Sequence, residues 1–136
     1  MTAKVLMVAS AAIVLALGVI HLAYTFYGRQ LTPRDPALQA AMSAVSPVLT
    51  RQTTMWKAWV GFNASHSLGA ILFGSVYGYL ALAHEGAIFG SWFLPLLGIA
   101  MLSALAVLAK LYWFSVPFRS VCLSLACYVG ALAMAP

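Results

Sequence analysis

The chain has 136 residues, 64% hydrophobic and only 7% charged, too few charges to cover a water-soluble surface, where about a quarter of residues are charged. At about 20 apolar residues per membrane crossing, the length allows at most about four or five spans and leaves no room for a second domain. The net charge of +5 arises because Asp35 and Glu85 are the only acids, and the bases are too dispersed for a nucleic-acid surface.

In chain order, the first uncharged run is Val5 to Gly28. A signal peptide has a shorter apolar core and ends at a small-residue cleavage site. This run instead continues through His21, Tyr24 and Phe26 to Arg29, so a retained span is expected near 4–28. The polar stretch from Arg29 to Thr54 is too long for a turn. Within it, Asp35 and Pro36 read as a helix N-cap followed by proline at the first helical position. Leu38, Met42, Val45 and Leu49 then recur at helical spacing, with Pro47 interrupting or ending the segment. A short amphipathic helix at the membrane interface follows, as a connector or as a lid over an intramembrane cavity.

The second span is expected over 55–83 and is closed by His84, Glu85 and Gly86. The third is expected over 91–113, with Pro95 tolerated in its first turn. Ser115, Val116 and Pro117 break the chain again, and Pro117 opens a last span over 117–135. Trp56, Trp59, Trp92 and Trp113 fall near span ends, as an aromatic belt requires. Cys122 and Cys127 are five positions apart on an apolar helix, on different faces, and read as small packing residues. The expected fold is all-α, a single-domain polytopic membrane four-helix bundle over 1–136, with a short interfacial helix between spans 1 and 2.

Charge sets the orientation. Arg29, Arg34, Arg51 and Lys57 lie in or beside the first connection, and Lys110 and Arg119 flank the third. The other side has only Lys4, with Glu85 against it. By the positive-inside rule, connections 1 and 3 are cytoplasmic and both termini are outside.

Polar groups in hydrocarbon are costly and mark function. Four stand out: His21 in span 1, and Asn63, Ser65 and His66 in span 2. From His21 to Tyr27, and from Ala58 to His66, a helix climbs roughly 9–12 Å at ~1.5 Å per residue. Both histidines therefore lie at about the same depth. Trp59, Asn63, His66, Ala70, Gly74 and Gly78 form one helical stripe, and Val14, Gly18, His21 and Thr25 form another. Small residues let membrane helices approach, so both imidazoles should point into the bundle and converge.

Such a pair has four readings. The rings can lock helices together through hydrogen bonds. They can ligate one haem b, with the cytoplasmic bases meeting its propionates. A zinc site is poorly served, because no carboxylate or thiolate lies at that depth. Finally, His21, His66 and Asn63 can act on a lipophilic ligand or substrate, with Tyr24, Trp59 and Ser65 contacting it, since imidazole changes charge near neutral pH. No GxSxG, Walker A, GxGxxG or HExxH motif occurs, and no acid lies in a span.

The stretch from Trp59 to Gly69, with Gly61-Phe62-Asn63-Ala64-Ser65-His66 at its centre, resembles the second helix of a family of short four-helix bacterial membrane proteins. Those proteins also carry a histidine on the first helix. A weaker similarity, on Ala41-Met42 and the Trp/Asn/His-bearing second helix, is to the anthrone-oxygenase-like membrane family. These resemblances imply a bacterial inner-membrane protein and lean toward quinone-like or aromatic molecules. The expectation is an intramembrane ligand or substrate site at His21, Asn63 and His66. The competing expectations are a single bis-histidine haem b, or a non-catalytic subunit or assembly factor. A partner complex, or a second copy of the chain, would then dock on the Ala70, Gly74 and Gly78 face.

Overall fold

The computed structural model describes residues 1–135. Among them are six helices: α1 (Thr2–Phe26), α2 (Pro36–Ala44), α3 (Met55–Ala83), α4 (Glu85–Phe89), α5 (Phe93–Tyr112) and α6 (Ser115–Ala133). The chain is all-helical, and α1, α3, α5 and α6 are long and apolar enough to cross a membrane. Their ends lie within about two residues of the sequence expectations, the usual scatter of helix termini. Two details differ. The second connection contains α4, where a plain break was expected, and α6 starts at Ser115 with Pro117 inside its first turn.

The chain forms two compact units. The first comprises Met1–Leu17 and the chain from Ala70 onward; the second is Gly18–Gly69.

In the first unit, α5, α6 and parts of α1 and α3 pack as a four-helix bundle. Its core joins Met7, Ala11 and Val14 of α1, Phe73, Tyr77 and Ala81 of α3, Ile88 of α4, Leu102 of α5, and Tyr128 and Ala131 of α6. Gly74 makes this possible. A Cβ there would lie 2.7 Å from the Ala11 carbonyl oxygen and 2.8 Å from the Leu15 nitrogen, so the α1 backbone rests directly on the α3 backbone. Gly78 faces the Ala11 Cβ, and Ala70 packs against the same core. The small-residue face that was expected to receive a partner is therefore taken by α1 of the same chain. The xxx-spaced glycines mark a backbone approach, but the spacing cannot say which helix approaches.

Polar groups in this unit are closed off in pairs. The Ser124 hydroxyl donates its one proton to the Ser10 carbonyl (3.0 Å), so the 2.9 Å contact between the two hydroxyls is donated by Ser10. Tyr77 donates to the Leu94 carbonyl at 2.7 Å. Tyr128 shares its proton between the carbonyls of Leu94 (3.2 Å) and Pro95 (3.3 Å). Lys4 pairs with Glu85 at 2.9 Å and donates to the Leu82 carbonyl at 3.1 Å.

In the second unit, α1 ends at Phe26, and two residues on Gly28 takes a φ of +101°, a left-handed conformation that favours glycine. A turn follows, in which the Thr32 amide and hydroxyl both donate to the Arg29 carbonyl. Asp35 then caps α2 as its sequence suggests, its carboxylate accepting from the Ala37 amide at 2.9 Å, with Pro36 opening the helix. The helix stops at Ala44, with Val45 already extended. Val45 and Leu49 thus leave the helical stripe on which they were read. Pro47 has no amide to continue the ladder, and its ring pushes the preceding residue out of the helical region. The Met55 amide donates to the Val45 carbonyl at 2.8 Å and closes the loop between α2 and α3.

Candidate functional site

The four polar residues singled out in the sequence, His21, Asn63, Ser65 and His66, fall within the second unit. The two imidazoles meet edge to face with ring centroids 5.5 Å apart, so the convergence expected from depth and stripe is present. Asn63, 8% exposed, organises the group. Its Nδ2 donates to the Trp59 carbonyl one turn earlier (2.8 Å), and its Oδ1 lies 3.0 Å from His21 Nε2. These two bonds fix each other. A flipped amide would set Oδ1 against a carbonyl, so the oxygen must face His21, and His21 must carry its proton on Nε2.

The surroundings tighten this arrangement. The Ser67 hydroxyl, fully buried, donates to the Asn63 carbonyl at 2.8 Å. The Thr25 hydroxyl donates to the His21 carbonyl at 2.8 Å. Both are back-bonds to the residue one helical turn earlier, which lets a hydroxyl sit in an apolar helix without losing its partner. Ser67 was not singled out in the sequence, although its spacing of four from Asn63 is the signal. Ser65 was singled out, and the structure places it elsewhere. It is exposed and bonds the Phe62 carbonyl (2.9 Å), because two residues beyond Asn63 the helix has turned about 200°.

A recess of about 220 Å³ opens beside Asn63. Tyr24, Thr25 and Phe26 of α1 and Trp56, Trp59 and Val60 of α3 line it, together with Gly28, Leu31 and Thr32 of the following turn. The Trp59 indole donates to the Leu31 carbonyl at 3.0 Å and ties that turn to α3. Tyr24 and Trp59 are therefore walls, as expected, but the histidines are not. Of His21, Asn63 and His66, Asn63 alone lines the recess. The segment over it is the turn at 28–32, whereas the sequence had suggested Asp35 to Leu49 as the gate.

Asn63 keeps hydrogen-bonding capacity after these contacts. Its amide has two N–H donors and its oxygen two lone pairs, and one of each is used within the protein. One donor and one acceptor of this amide have no partner among the described residues.

A bis-histidine haem does not fit this arrangement. Axial ligation needs both imidazoles to aim a bare nitrogen at iron from opposite faces of a flat macrocycle. Here His21 Nε2 is protonated toward Asn63, and the rings touch edge to face with no slot between them. A wider open depression of about 700 Å³ lies in the first unit beside Met1, Lys4, Glu85 and Met134. Lys4 and Glu85 there pair with each other.

The chain matches no known family model, no curated protein and no solved structure.

Proposed function

We propose that this protein binds the polar head of a lipophilic aromatic, quinone-like molecule in the recess beside Asn63. The observation that carries the proposal is the residual donor and acceptor of a nearly buried amide at an aromatic-lined opening. A recess of about 220 Å³ is below the usual range for a whole drug-sized ligand and suits a single ring with its carbonyls. The tail would remain in lipid. His21 and His66 act as positioning residues: the Nε2 proton of His21 fixes the orientation of Asn63, and His66 buttresses the His21 ring. The protein resides in the bacterial inner membrane with both termini outside, which sets the recess toward the cytoplasmic face. Six of the seven basic residues lie in or beside the connections this assigns to the cytoplasm.

The test uses the full-length protein in nanodiscs and a short-tailed benzoquinone. Trp56 and Trp59 line the recess, so occupancy quenches their emission. Saturable quenching is expected, weakened about tenfold in Asn63→Leu, since one hydrogen bond to a buried group is worth about 1–1.5 kcal/mol. Quenching that rises linearly with membrane quinone, and equally in both proteins, would sink the proposal.

A further inference from the structure

The first connection has features that the recess does not use. Between α2 and α3 the chain forms a loop closed at its base by the bond from the Met55 amide to the Val45 carbonyl. At its tip is a tight turn, with the Thr50 amide donating to the Pro47 carbonyl at 3.2 Å. The two residues at the centre of that turn are Val48 and Leu49, both almost wholly exposed. A fully exposed apolar pair at a turn is unusual, since Gly, Asn, Asp and Ser dominate such positions.

The connection and its flanks also carry four cations. Arg51 follows the tip directly, and Arg29, Arg34 and Lys57 belong to the same connection or flank it. Among the described residues, none of these four side chains has an acidic partner within salt-bridge distance. The one acid nearby, Asp35, spends its carboxylate on the α2 cap. Lys4, at the other end of α1, is by contrast neutralised by Glu85.

We infer that this connection is an anionic-phospholipid binding element: Val48 and Leu49 enter the interface as an apolar finger, and Arg34 and Arg51 of the same connection hold phosphates. Geometry puts the membrane within reach. The loop base is the first residue of a membrane-length helix, and the tip is at most about 20–25 Å of extended chain from it. Charge selects the lipid. Each basic side chain near an anionic surface strengthens attraction about fivefold, while a zwitterionic headgroup offers no such gain. The inference does not depend on the recess being a ligand site.

The experiment uses full-length protein in nanodiscs of phosphatidylcholine alone, or with about a third phosphatidylglycerol. A bimane is placed on Leu49→Cys in a Cys122→Ala/Cys127→Ala background. Bimane emission is expected to blue-shift, and to resist aqueous iodide, only in the anionic discs. Enrichment of phosphatidylglycerol around the protein, expressed as its association constant relative to phosphatidylcholine, should fall about 25-fold in Arg34→Gln/Arg51→Gln, and should return in Arg34→Lys/Arg51→Lys. Three results would overturn the inference. The bimane could stay open to iodide in both membranes. Its shielding could depend on the number of protein copies per disc, which would make a second copy the occupant. Millimolar inorganic phosphate could abolish the enrichment, which would make the site one for free anions.

Discussion

The helix α3 is built differently in its two halves, and the contrast separates packing from chemistry. From Ala70 onward, in the first unit, it buries Phe73, Gly74, Tyr77 and Ala81 and lets the α1 backbone rest on a glycine. Hydroxyls there are paired, Ser10 with Ser124, and Tyr77 and Tyr128 on the Leu94 carbonyl. Up to Gly69, in the second unit, the same helix presents Asn63, His66 and Ser67, and its glycines at 61 and 69 face open space. The first unit closes its polar groups against one another. The second holds an oriented amide that still has a donor and an acceptor to offer. Unused hydrogen-bonding capacity lies in the half whose glycines meet no neighbour.

The same substitution in the two halves gives the largest predicted contrast. Gly74→Ala drives a methyl into the α1 backbone, which cannot yield as a flexible side chain would. Its cost should reach or exceed the upper end of the roughly 1–3 kcal/mol typical of overpacking. Gly61→Ala meets nothing and should be neutral or stabilising by up to about 1 kcal/mol from helix propensity. Thermal unfolding in matched detergent measures both, and equal losses would break the comparison.

Asn63→Leu comes next. It removes the bonds to Trp59 and His21, which should cost about 1–2 kcal/mol, and it should free the His21 tautomer. Nitrogen-15 spectra of the imidazole are expected to show a single Nε2–H form in the wild type and a mixture in the variant. In the first unit, a double-mutant cycle with Ser10→Ala and Ser124→Ala should give a coupling of about 0.6 kcal/mol, the membrane-helix average, and leave quinone quenching unchanged. Trp59→Phe is expected to have the smallest effect on stability, below about 0.5 kcal/mol for an exposed bond. It should nevertheless speed ligand release, because the indole no longer ties Leu31 over the recess.

Much of this was legible in the sequence, for a physical reason. Span positions follow from apolar run length, and the α2 start follows from Asp35 and Pro36, because both signals are local. The meeting of His21 and His66 follows from depth and helical stripe, which are nearly local. What was not legible depends on which surfaces meet. Gly74 and Gly78 announced a close approach, but nothing in their spacing says that α1 fills it. That Asn63, not the histidines, faces the recess depends on side-chain rotamers and on the turn at Gly28. Ser65 and Ser67 look alike in sequence, and only the helical phase relative to Asn63 separates them.

The measurement that tests the central claim most directly is photolabelling with a short-tailed quinone bearing a diazirine, in nanodiscs, read by mass spectrometry of the peptides. Competable label is expected on Tyr24, Trp59 and Val60 of the second unit, lost in Asn63→Leu and kept in Ser124→Ala. Label spread over the exposed residues of α5 and α6, insensitive to competitor and to Asn63, would contradict the claim.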